Sequence, residues 1–245
     1  MSSQRAASVR AKGAAAPGRH SEELTGKRER TRKRIFEATF GLIGHERGLS
    51  VRIEEICVAA KISRGTFYNY FTSMEELFQV LAVELSHNFN QALISTLATI
   101  DSAAHRTNAA VQHYLTRARR DTVWGWAMVH LSAAGPMFGA ESHAACLETV
   151  AQGMKAKEFD VPNAECGRDL ILGTILSSMI SILRGEVSRA QPRVVSRHLL
   201  RALGIPDGEA RAISESSLPE IVSPLPVESP PGRGAARRTR LPGSP

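Results

Sequence analysis

The 245 residues are enough to bury a sizeable hydrophobic core, so neither disulfides nor metal ions are needed to hold a fold together. Aromatic residues make up only 5% and apolar residues 42%, with many Ala, Leu and Ile, which suits helices and argues against a β-sandwich. The net charge of +7 is concentrated at one end: residues 1–36 hold ten Lys and Arg against three Glu, as much excess as the whole chain carries. Such a segment beside a folded unit is the electrostatic footprint of phosphate binding, although a solvated tail has the same composition.

In chain order, residues 1–26 are rich in Ala, Ser, Gly and Arg without periodicity and are expected to form a disordered basic arm. A first folded unit is expected over 27–80. Its first helix carries the apolar stripe Ile35, Phe36, Thr39, Phe40, Leu42 and Ile43 and stops near Gly44 and Gly48. Ser50 is expected to cap a short second helix that buries Ile53, Ile56 and Cys57, and Ser63 to cap a third. From Ser73, with Glu75 and Glu76 set against the positive end of a helix dipole, an amphipathic pattern runs through Leu77, Leu81, Leu85, Phe89, Leu93 and Leu97. This long helix should connect two units rigidly.

A second unit is expected over 81–205, with further helices at about 107–120, 121–134, 141–157, 163–188 and 192–204. Residues 206–245, where Pro, Gly, Ser and Arg accumulate from Pro219 onward, are expected to be a disordered tail. No segment alternates like a half-buried strand. Cys57, Cys146 and Cys166 are far apart with no CxxC pair, which points to a reducing compartment. The apolar stretch 170–183 is too short to span a bilayer, and the N-terminus lacks an apolar signal core, so a cytoplasmic protein is expected.

The informative stretch runs from Leu49 to Leu77. Two short helices joined by a three- or four-residue turn, the second starting at a Ser cap and ending in an aromatic run, fit a helix-turn-helix whose second helix enters the major groove. Arg64 and Thr66 lie in its first turn, within reach of base edges, while Tyr68, Asn69 and Tyr70 offer hydroxyl and amide groups to phosphates or bases. Gly65 allows close backbone approach to DNA, and Arg52 and Ser63 complete the candidate DNA-facing set. Phe67 and Phe71, four apart, should face the core.

The run Ser63-Arg-Gly-Thr-Phe-Tyr-Asn-Tyr-Phe-Thr-Ser-Met-Glu-Glu-Leu77, preceded by Ile56-Cys-Val-Ala-Ala-Lys-Ile-Ser63, resembles the DNA-binding domain of the TetR (tetracycline-repressor-like) family over roughly residues 30–80. The resemblance implies an all-α fold: a three-helix reader, a connecting fourth helix, and a helical C-terminal domain that binds a small ligand and dimerises. It implies phosphate contacts from Tyr68 and Tyr70 and base reading from Arg64, Thr66 and Asn69. Two positions depart from the pattern. Met74 replaces a phosphate-gripping lysine, and Lys61 stands where a turn glycine is usual, at a cost of about 1 kcal/mol if its backbone is left-handed.

The segment 170–183 is apolar nearly all round, with Gly173, Ser177, Ser178 and Ser181 among the large residues. A helix without a polar face must be covered on several sides, so a homodimer is expected through it and the next helix, with Ile175 and Met179 in the interface. Trp124, Trp126, Met128, His130, Phe138 and Met154 are the candidate lining of an effector pocket, although the same residues suit a plain core.

The histidines and cysteines form no nucleophile motif or metal-ligand spacing, so an enzyme is not expected, nor a catalytic residue, metal or cofactor. The expected partners are an operator in double-stranded DNA, a small-molecule effector and a second copy of the chain, with no membrane because the basic arm lacks large apolar residues. The alternative is a nonspecific DNA-coating protein that uses its basic tails. The long patterned stretch after position 80 weighs against it.

Overall fold

A computed structural model of the chain describes residues 17–132 and 135–221. The described residues form ten α-helices and no strand, in keeping with the all-α class. Helices α1 (Pro17–Ile43), α2 (Ile53–Ala60) and α3 (Arg64–Tyr68) make an N-terminal head, and α4 (Met74–Leu97) leads away from it. A larger domain contains α5 (Ala103–Arg120), α6 (Thr122–Leu131), α7 (Ala140–Lys155), α8 (Ala164–Leu183), α9 (Gln191–Ala202) and α10 (Asp207–Glu215).

The short helices of the head depend on their caps. Ser63 Oγ accepts from Thr66 N–H at 3.0 Å to start α3, and Ser73 Oγ accepts from Glu76 N–H at 3.1 Å to start α4. Each cap satisfies a donor the helix cannot and contributes about 1 kcal/mol. The start of α2 differs from expectation. Ser50 closes a 3-10 turn (Gly48–Ser50), and Arg52 stands at the cap of α2, where its N–H donates to the Glu55 carboxylate at 2.8 Å. The side chain three residues into the helix reaches back and does the capping, so Ser50 is not needed.

Both ends of the described chain are more ordered than their composition suggests. α1 starts at Pro17, inside the expected arm; Pro suits the first helical position, and Glu, Leu, Lys and Arg after it are good helix formers. Residues 1–16 of that arm lie outside the described residues. The expected tail from 206 contains α10, because Ala210 and Ile213 are buried and two buried amides hold its end. Asn108 Nδ2 donates to Ile213 O and Gln112 Nε2 to Ser214 O, each at 2.9 Å. Residues 222–245 lie outside the described residues.

Three apolar clusters divide the interior. Ile35, Ile56, Cys57, Ala60, Phe67, Phe71 and Leu77 form the core of the head. A larger core under α5 to α10 includes Trp124, Met128, Phe138, Ile175, Met179 and Leu200. Between them, Ile43 of α1, Leu81 of α4 and Ala127 and Leu131 of α6 form a small junction cluster.

α8 is long and apolar enough, by length and composition, to cross a membrane. It is built into the larger core, with Ile171, Leu172, Ile175, Met179 and Ile182 buried. Ile175 and Met179, expected in a subunit interface, are instead 1% and 0% exposed within their own chain. The side of α8 turned outward carries Leu170 and Ser177, and α9 beside it exposes Val194.

Candidate nucleic-acid interface and ligand cavity

The turn between α2 and α3 fixes the angle of the reading helix. Lys61 ends α2 in the left-handed conformation, φ 54° and ψ 51°, and Ile62 N–H donates to Cys57 O at 3.0 Å in the manner of a glycine C-cap. Arg34 Nη2 of α1 donates to Lys61 O at 3.2 Å and ties the first helix to this turn. Phe67 and Phe71 point into the core of the head, as their spacing predicts.

Arg64, Gly65, Tyr68 and Asn69 are exposed on α3 and its C-terminal end, on the side away from the core. Thr66 is partly covered, and its hydroxyl lies 2.9 Å from Ser63 Oγ, so Ser63 serves chiefly as a cap. Tyr70 is half-buried, its ring packed on the head core under the Arg28 guanidinium at 5.9 Å. Arg52 is exposed at the start of α2. Arg64 Nη1 pairs with Glu54 Oε1 at 3.0 Å, and the Tyr68 side chain, then Glu54, push the Arg64 pKa upward. A Cβ on Gly65 would meet nothing closer than Ser63 Oγ at 3.8 Å, so the fold itself does not demand glycine there. Lys27, Arg28, Arg30, Lys33 and Arg34 of α1 add exposed cations to the head.

The larger domain holds a partly open cavity of about 320 Å³ lined by α4, α5, α7 and α8. Leu93, Ile94 and Leu97 of α4 and Ile171, Leu172 and Ile175 of α8 supply its apolar walls. Thr107 and Ala110 of α5 and Ser142, Ala145 and Cys146 of α7 add small side chains, with Arg106, Glu148 and Gln152 also on the lining. Arg106 is held by neutral acceptors: Nη1 donates to Ile100 O at 2.7 Å and Asp101 O at 2.9 Å, and Nη2 to Gln152 Oε1 at 2.6 Å. Ser142 Oγ lies 3.0 Å from the buried Tyr114 hydroxyl, which donates to Asn90 Oδ1 at 2.6 Å. Burial pushes the Cys146 thiol up to about 12, so it stays neutral at physiological pH.

None of the six residues expected to line a pocket borders this cavity. Trp124, Met128 and Phe138 are core residues, and Met154 packs against that core. Trp126 stacks on His130 with ring centroids 5.7 Å apart. His130 Nδ1 lies 2.9 Å from Ile43 O at the end of α1, so it bridges the two domains. A Cβ on Gly48 would stand 2.5 Å from Ile43 O and 2.7 Å from His130 Nδ1; only glycine permits this approach. The cavity's own signal in the sequence was Ser142, Ala145, Cys146 and Thr149, small residues at helical spacing on an inward face.

A capped helix-turn-helix with exposed Arg, Asn and Tyr side chains, joined to a helical domain with a mainly apolar cavity, defines a DNA-binding regulator. The family profile "Bacterial regulatory proteins, tetR family" matches residues 35–81, and "Tetracyclin repressor-like, C-terminal domain" matches residues 102–216. The chain belongs to the TetR family of transcriptional regulators. Among solved structures, it is similar to RolR in complex with resorcinol, at 28% identity and a TM-score of 0.63 over 80% of this chain and 99% of that one. RolR without ligand matches at 26% identity and a TM-score of 0.60, covering 77% of this chain and 99% of the other. FadR from Bacillus subtilis in complex with stearoyl-CoA shares the fold, at 16% identity, a TM-score of 0.56 and coverage of 70% and 96%. No curated protein sequence matches the chain significantly.

Proposed function

We propose that the chain is a cytoplasmic homodimeric repressor that binds an inverted-repeat operator and is released by a small-molecule effector. The observation that carries this reading is the path of α4. Near its start, Leu77 and Leu81 pack in the head and junction clusters; toward its end, Leu93, Ile94 and Leu97 wall the cavity. A ligand that changes the cavity therefore acts on the helix that sets the position of the reading head. The structures of RolR with and without resorcinol support a small-molecule effector for a chain of this kind.

In this reading Arg64, Thr66 and Asn69 address base edges, and Arg52, Ser63, Tyr68, Tyr70 and the backbone at Gly65 hold phosphates. Two heads are needed to span two half-sites of a palindrome. The outward faces of α8 and α9, with Leu170 and Val194 exposed, supply the dimer contact, since small residues such as Gly173 and Ser177 allow close helix approach. Sedimentation at micromolar concentration should give a dimer for the wild type and a monomer for Val194→Glu and Leu170→Glu, with operator affinity reduced at least about tenfold and unchanged helicity. A wild-type monomer that occupies a complete palindrome overturns the dimer.

A further inference from the structure

Glu54 and Arg64 present opposite charges side by side on the exposed face of the head. Glu54 is the second residue of α2 and Arg64 the first of α3. The carboxylate Oε1 lies 3.0 Å from the guanidinium Nη1, with the two side chains 53% and 60% exposed. The surroundings are equally open: Val58, one turn along α2, is 79% exposed, and Gly65 beside Arg64 is exposed and has no side chain.

Folding gives Glu54 no other task. Glu55, the other carboxylate in the first turn of α2, accepts from Arg52 N–H at 2.8 Å and does the capping, and Glu76 of α4 accepts from the N–H and Oγ1 of Thr72, each at 2.6 Å. Glu54 has Arg64 as its one partner among the described residues, and a pair this exposed contributes little to stability. On a face that meets phosphates, an idle carboxylate weakens binding to every sequence by repulsion. A hydrogen-bond donor on a base edge offsets that repulsion, and does so at particular sequences only.

Major-groove chemistry then names the base. A carboxylate can only accept; guanine shows two acceptors there, thymine an acceptor and a methyl group, adenine a donor beside an acceptor, and cytosine a donor alone. Arg64, which can only donate, suits guanine, and the two side chains are close enough to address one G·C pair or two adjoining pairs. We infer that Glu54 is a specificity-determining residue, and that its carboxylate accepts from the N4 amino group of a cytosine when Arg64 turns to guanine. This rests on the reading of α3 as the helix that enters the major groove.

Binding of the full chain to its selected operator, with each cytosine of a half-site replaced in turn by N4-methylcytosine, tests the assignment. The modified base keeps its pair with guanine but loses the amino proton that faces the groove. One replacement should weaken the wild type by about five- to tenfold and Arg64→Ala by a similar factor, but Glu54→Ala by less than about twofold. Glu54→Gln keeps an acceptor oxygen without the charge, so it should retain most of the sensitivity and bind random duplexes more tightly than the wild type. If Glu54 only repels phosphates, Glu54→Ala binds every duplex more tightly and the methyl group affects it as it affects the wild type, which overturns the inference. A merely structural carboxylate overturns it too: Glu54→Ala then melts lower and weakens binding to all duplexes alike. If the wild type selects no operator, or Arg64→Ala leaves the selected consensus unchanged, the reading of α3 falls and this inference with it. An altered consensus in Arg64→Ala, with no cytosine that separates Glu54→Ala from the wild type, overturns the role of Glu54 alone.

Discussion

At the scale of single residues, Lys61 and Arg64 show how the head balances folding against recognition. Lys61 holds φ 54° at the end of α2, a conformation that costs a residue with a Cβ about 1 kcal/mol relative to glycine. Its side chain is exposed, so nothing in the packing offsets that strain. Lys61→Gly should raise stability by about 1 kcal/mol in urea unfolding without moving α3. A loss of stability would mean that the lysine makes a contact outweighing its backbone strain. Arg64 pairs with Glu54 where both side chains are more than half exposed, and such pairs contribute little to stability. In the proposed reading, the guanidinium exchanges the Glu54 carboxylate for a guanine edge at little cost.

At the scale of elements, α10 is the clearest case of structure that local pattern hides. The segment Asp207–Glu215 is mostly polar, and only Ala210, Ile213 and Ser214 are buried. What orders it is distant: Asn108 and Gln112 of α5, with Ser196 Oγ of α9 donating to Asn108 Oδ1 at 2.6 Å. A chain ending at Ile205 strands those amides, and its melting temperature should fall by on the order of 10 °C, with a smaller fall for Asn108→Ala in the full chain. Unchanged melting of the shortened chain would show that α10 contributes nothing.

The elements whose signals are local were legible in the sequence. The Ser63 cap, the start of α4 at Ser73, the stripe from Leu77 to Leu97 and the inward Phe67 and Phe71 follow from residue type and spacing. The reading helix was found because its exposed Arg64, Tyr68 and Asn69 sit beside those inward aromatics on five helical residues and a cap. The cavity was not found, because periodicity tells which face is inward and not whether that face is filled. Trp124 and Met128 fill theirs, whereas Ala110, Ala145 and Ser142 leave theirs open. The outward side of α8 was hidden similarly: an all-apolar helix does not reveal which side its own chain covers, and Ile175 and Met179 are buried inside it.

At the scale of the whole molecule, the head and the larger domain are joined at several points. The junction cluster of Ile43, Leu81, Ala127 and Leu131 packs α1 and α4 against α6. His130 bonds to Ile43 O at 2.9 Å, and Arg184 at the end of α8 pairs with Glu46 after α1 at 2.7 Å. A shift of α4 or α8 at the cavity therefore reaches the head through packed side chains and not through a flexible linker. For the proposed repressor, release follows if the ligand-bound arrangement fits successive major grooves less well than the empty one.

The proposed repressor depends on sequence-specific reading of DNA by α3. Selection of bound sites from randomised duplexes, with wild type, Arg64→Ala and Tyr68→Phe compared in parallel, tests this most directly. The wild type should enrich an inverted repeat. Arg64→Ala should bind that repeat about ten- to a hundredfold more weakly and select an altered consensus, while Tyr68→Phe should weaken binding to all sequences with the consensus unchanged. Failure of the wild type to enrich any sequence, with equal affinity for random duplexes and a steep salt dependence, would contradict the account and leave a nonspecific DNA-coating protein.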